Sequence, residues 1–161
     1  MLKRVVGALA GATVALVGLA GPSWAATTGT ERLLFLVRQS GEEQTCTVIA
    51  SGPISGVGTC TIEDVAEGET VVHATLPGGS FDLTTTTEDE SDDFNEQACI
   101  FRFTSTEAFE LTGVSGDFEN ATGSGTDVVR GSFFAERTPQ GCDEASASGF
   151  IIARATGTVT V

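Results

Sequence analysis

The chain of 161 residues has no tyrosine and only one tryptophan, one histidine and one lysine. Each shortage removes a class of function. The single tryptophan, Trp24, stands near the N-terminus, so residues 26–161 have neither the Trp nor the Tyr common in sugar-binding sites, and their ten Phe favour a core or an apolar pocket. With His73 the only imidazole and no G-x-S-x-G elbow around any serine, a Ser-His-Asp hydrolase has no visible parts. The four cysteines form no C-x-x-C, which argues against a zinc site. Positive charge is also scarce: 8 Lys plus Arg face 22 Asp plus Glu, for a formal charge of −14. Such a chain repels nucleic acid and anionic membranes. Attraction to cations or basic partners remains, as does the plainer role of acidity in keeping an exported protein soluble.

What the N-terminus contains is a leader. Lys3 and Arg4 precede an apolar run from Val5 to Ala20, Gly21-Pro22 breaks it, and Ser23-Trp24-Ala25 places small residues where a signal peptidase reads. This pattern predicts a signal peptide over residues 1–25, cleaved after Ala25. The apolar run is shorter than the ~20 residues of a spanning helix, and no second run follows. No cysteine follows it to carry a lipid, and the C-terminal "ATGTVTV" holds no sorting motif. The expected product is one extracellular domain, residues 26–161, with no membrane association. It keeps six Arg and all 22 acidic residues, but no Lys.

All four cysteines, Cys46, Cys60, Cys99 and Cys142, fall within that domain. An even count in an exported chain reads as two disulfides. Three pairings are possible. "SGPISG" lies midway between Cys46 and Cys60 and reads as a turn, which favours Cys46–Cys60 across a hairpin and leaves Cys99–Cys142.

Helix signals are nearly absent, and runs rich in Thr, Val, Ile and Phe punctuated by Gly predict strands. These fall at residues 32–39, 44–51, 57–64, 69–76, 80–87, 98–105, 107–114, 127–137 and 149–161. Eight or nine strands with short links leave no room for crossover helices. The expected fold is all-β, a single antiparallel eight-stranded up-and-down barrel, since closure removes exposed strand edges. Leu33–Val37 and Phe150–Ala153 are apolar on both faces, which predicts a subunit interface on the outer wall, a covering loop or the buried side of a sandwich.

The stretch "GDFENATGSGTDVV" (Gly116–Val129) contains a Gly-x-Gly, but Val128 stands where a dinucleotide loop needs its third glycine, and a β-branched run follows instead of a helix. A phosphate cradle is excluded. The stretch reads as bends at Gly113 and Gly116, an inward anchor at Phe118, and a small-residue corner or bulge over Ala121–Gly125. Asn120-Ala121-Thr122 also matches a glycosylation acceptor.

"LTGVSGDFENATGSGT", with "SGPISGVGT" and "LPGGSFDLTTT" before it in the same order, resembles small secreted actinobacterial proteins of unassigned function. The same blocks are similar to those of the allene oxide cyclase and dirigent barrels. The resemblance spans most of the exported domain and rests on Gly, Thr and Pro positions. It implies an eight-stranded barrel with a small apolar lumen, and trimers such as the plant proteins form. Gly113-Val114-Ser115-Gly116 departs from the family's Gly-Gly-Thr-Gly turn, and none of the plant enzymes' functional residues maps here.

Three residues are candidate ligand contacts. His73 in "VVHATL" reads first as a satisfied structural histidine. Arg102 in "CIFRFTS" and Arg154 in "IIARAT" sit within apolar strands, where an arginine faces solvent, pairs with Glu107 or Glu110, or orients an anionic ligand in a lumen. The acidic run Glu88–Glu96 has the oxygen density calcium wants but lacks the glycine of an EF-hand loop, so it reads as a solvated hairpin loop. No catalytic set, metal site or cofactor motif is assigned. The leading expectation is a disulfide-bonded barrel that binds a small apolar ligand or another protein without catalysis. The alternatives are a cyclase- or dirigent-like enzyme that guides a reaction by shape, and an acidic cell-surface interaction protein.

Overall fold

The computed structural model describes residues 26–41 and 43–161; the leader expected over residues 1–25 lies outside them. Eight strands follow one another: β1 (Thr28–Ser40), β2 (Glu43–Ser51), β3 (Gly56–Ala66), β4 (Glu69–Leu76), β5 (Gly79–Asn95), β6 (Ile100–Gly116), β7 (Thr122–Thr138) and β8 (Gly141–Thr160). Each pairs antiparallel with its neighbours in sequence, and β8 returns to β1, closing an up-and-down barrel. The two segments expected at 98–105 and 107–114 are one strand, because Thr106 continues the alternation without a break.

Closure gives each strand an inner and an outer face with period two. On β1, Leu33, Phe35 and Val37 are buried within the barrel, while Leu34 and Leu36 alternate with them on the outer wall. The unbroken apolar run is thus half lumen and half outer surface.

Side chains fill one end of the barrel. Phe81, Leu83, Phe109 and Leu111 pack with Leu76 and Val159, and the links β2–β3 and β6–β7 add Ile54 and Phe118 as plugs. Phe118 meets Phe81 edge to face at 6.5 Å. The plug is locked by Glu31, only 1% exposed, which accepts from the backbone N–H of Ser51 at 3.1 Å and of Ile54 at 2.8 Å. Burial pushes the Glu31 carboxyl up, and the amides of Ile54, Ser51 and Arg32 oppose that rise.

Residues 121–125 form no corner. Ala121 ends the preceding turn, and Thr122 to Gly125 begin β7 in unbroken register with β8, from Thr122↔Thr160 to Phe134↔Ser148. Their smallness serves close approach: a methyl on Gly125 would strike the Thr156 carbonyl and the Phe109 ring. The φ of +65° at Gly116 ends β6 in the expected bend. Asn120 is exposed in the turn that follows.

At the other end, β5 to β8 run past the barrel as a four-stranded extension. The acidic run 88–96 is mostly the second half of β5 rather than a loop. It pairs residue by residue with β6 from Asp89↔Thr106 to Asn95↔Ile100, after a register shift at Thr87/Asp89. Phe101, Phe103 and Phe133 stack there, with centroids 6.0 and 6.4 Å apart. Both expected disulfides are present: Cys46–Cys60 bridges β2 and β3 inside the barrel, and Cys99–Cys142 ties the tips of the extension.

Candidate functional site

The half of the lumen beneath the extension is open. A cavity of about 480 Å³ is walled by apolar side chains, chiefly Phe35, Val37, Val72, Phe103, Val129 and Ile151. Each comes from the inner face of its strand. The polar residues lining it are threonines, Ser105, and four carboxylates: Asp64 and Glu90, both exposed, and Glu107 and Asp127. No Arg, Lys or His lines it.

Glu107 on β6 and Asp127 on β7 are direct cross-strand partners. Like charges placed so are destabilising. Ser105, two residues from Glu107 on the same face, donates its hydroxyl to Glu107 Oε1 at 2.8 Å. Asp127 is 3% exposed, and its Oδ1 is buried without a hydrogen-bond partner. Desolvation, followed by the charge of Glu107, pushes the Asp127 carboxyl up to about 7; the amides of Val128 and Arg154 pull the other way. A carboxyl titrating there exists in both protonation states at neutral pH. It can accept a hydrogen bond from a ligand, donate one, or hold a proton in transit.

The three residues singled out from sequence lie elsewhere. His73 is on the outer face of β4, where Nδ1 meets Asp82 Oδ1 at 2.7 Å and Nε2 meets Glu63 Oε2 at 3.5 Å. The Asp82 hydrogen bond, ahead of the opposing desolvation, holds its pKa above the ordinary imidazole value. Arg102 and Arg154 are exposed on the outer faces of β6 and β8. Arg102 lies opposite Asp93, and neither arginine reaches the lumen. Among the described residues, no group of three or more His, Cys, Asp or Glu is placed to hold a metal ion.

Comparison of the chain with protein-family models, with curated proteins and with solved structures gave no match.

Proposed function

We propose that this protein is an exported barrel that binds one small, largely apolar molecule in its lumen, as a binder rather than a catalyst. The observation that carries this reading is the contrast between the two halves of the barrel. One is packed solid with Phe81, Phe109, Leu83 and Ile54, and the other keeps a cavity of about 480 Å³ behind apolar walls. Ligand sites are usually concave and apolar with a few polar groups, as here. Two disulfides suit an oxidising compartment outside the cell. Ala153 lines the cavity, and Ala153→Phe would fill it. An environment-sensitive apolar dye should bind the wild type and not this variant. Absence of binding to the folded wild type would refute the reading.

A second reading is favoured by the outer wall. Five of the six arginines outside the leader, Arg32, Arg38, Arg102, Arg130 and Arg154, lie on the outer faces of β6, β7, β8 and β1. They surround Leu36, Phe134 and Phe150, which are 40%, 61% and 53% exposed. The outer faces of β3 to β5 carry Glu63, Asp82, Asp89 and Asp93 instead. This charge segregation fits a second copy of the chain, docked head to tail, an arrangement that gives a ring where the rotation between copies closes. Sedimentation should show an oligomer at low salt that dissociates in high salt or on Arg130→Glu. A monomer at all salt concentrations would refute it.

A further inference from the structure

We infer that the lumen selects a protonated amine carried on a small apolar body. The inference rests on the lumen being the binding site and names the ligand's polar group. Three features converge. The first is charge of one sign: Asp64, Glu90, Glu107 and Asp127 line the cavity with no cationic side chain among the lining residues. The arginines next in sequence to lining residues, Arg38, Arg102, Arg130 and Arg154, all lie on the outer faces of their strands, while their neighbours Val37, Phe103, Val129 and Ala153 line the cavity. The period of two keeps the two sets on opposite sides of the wall.

The second feature is the unsatisfied acceptor. Buried polar atoms without partners are rare and costly, and Asp127 Oδ1 is the only such side-chain atom among the described residues. A threonine or asparagine at 127 would have avoided the charge, and an arginine on an inner face would have paired it. Instead the sequence sets Glu107 directly opposite. An ammonium group supplies what both lack. It carries the compensating charge, and its N–H donors can serve Asp127 and Glu107 together in a low-dielectric site.

The third is the division of the walls. Phe35, Val37, Phe103, Val129 and Ile151 offer contact to a hydrocarbon body, while Ser105 is already committed to Glu107. A carboxylate or phosphate ligand would meet four acidic side chains and no cation. A neutral alcohol could donate to Asp127 but would leave the repulsion in place.

The test uses three probes with the same six-carbon body: hexylamine, 1-hexanol and hexanoate. Binding to the full exported domain would be measured at neutral pH and moderate salt by ligand-observed NMR. The amine should bind at least about tenfold more tightly than the alcohol, as expected for a charge-assisted hydrogen bond in a desolvated site. Hexanoate should not compete. Asp127→Asn keeps the shape and removes the charge, so it should abolish the preference for the amine over the alcohol; Glu107→Gln should reduce it. Equal binding of amine and alcohol to the wild type would overturn the inference and leave the lumen site standing. Failure of both probes would overturn the lumen site and the inference with it. Amine binding that survives Ala153→Phe would place the amine on the acidic outer wall and also overturn the inference.

Discussion

The carboxylate of Glu31 on β1 accepts the backbone N–H of Ile54, 23 residues away, at 2.8 Å. This one bond joins a buried charge to the plug that seals the packed end of the barrel. The second oxygen takes the Ser51 N–H, so both sides of the Gly52-Pro53 turn hang from one side chain. Glu31→Ala would strand two amide donors beside Ile54, which is fully buried. We expect a loss of about 2–4 kcal/mol, from two unsatisfied donors and a new cavity. Glu31→Gln keeps the volume and one acceptor, and should lose about half as much. Midpoints of urea unfolding check both. A loss under roughly 0.5 kcal/mol for the alanine variant, the level of an ordinary surface substitution, would show that the plug holds without Glu31.

A second prediction concerns Asp127, which the lumen holds at a cost to stability. Its carboxyl rises from 3.8 to about 7 in the folded chain. A raised pKa means the folded state binds the proton more tightly than the unfolded one. The stability that proton brings is complete below the unfolded value of 3.8 and is lost as pH climbs through about 7. Asp127→Asn has no proton to lose. The variant should gain on the wild type progressively over that window, reaching an advantage of roughly 2–4 kcal/mol above it. The difference between paired unfolding curves isolates this group from the other acids. A difference that does not change with pH would mean that Asp127 titrates normally.

Much of this architecture was legible in the sequence, and the reasons lie in particular residues. Strand-forming runs fall at 69–76 and 80–87, and the predicted limits of the first, Glu69 to Leu76, match the observed β4. The Cys46–Cys60 bridge followed from a turn midway between the two cysteines. The extension was obscured because Asp89 to Asp93 have no strand propensity of their own; pairing with Arg102 to Thr106 holds them extended. The polar end of the lumen was hidden for another reason. Asp127 reads as the edge of the apolar run "VVRGSFF", whereas the strand starts five residues earlier in small residues. Only the register β6–β7 shows that Asp127 and Glu107 share the interior. His73, Arg102 and Arg154 drew attention as isolated polar residues in apolar strands, but period two sends all three outward.

The outer-wall histidine yields a third prediction. His73 sits between Asp82 and Glu63, and its pKa is raised, chiefly by the Asp82 hydrogen bond. The imidazolium therefore strengthens the β3–β4–β5 contact below the ordinary histidine value of 6.5. That contribution fades as pH rises through the folded value. Two-dimensional NMR of the imidazole should give a pKa above 6.5. Asp82→Asn should lower it more than Glu63→Gln, since the second contact is longer, at 3.5 Å. Equal effects of the two substitutions would contradict the ranking.

The two disulfides should separate functionally, and this is the fourth prediction. Cys46–Cys60 closes a loop with a sequence separation of 14 within the barrel wall. Its removal should cost about 3 kcal/mol of global stability in the loop-entropy view. Cys99–Cys142 has a separation of 43, and the same view gives about 4 kcal/mol. Its position argues for a different outcome. It joins only the tips of the two long hairpins, where Arg137 also donates to the carbonyls of Glu96 and Gln97. The plug and the β1–β4 wall do not depend on it. In the Cys99→Ala/Cys142→Ala variant, hydrogen exchange should accelerate across Glu90–Phe103 and Phe133–Ala147 while β1 and β4 keep their protection. Because Phe103 and Glu90 border the cavity, the same variant should admit and release a lumen probe faster with little change in affinity. Uniform loss of protection through all eight strands would show instead that the extension and the barrel unfold as one unit.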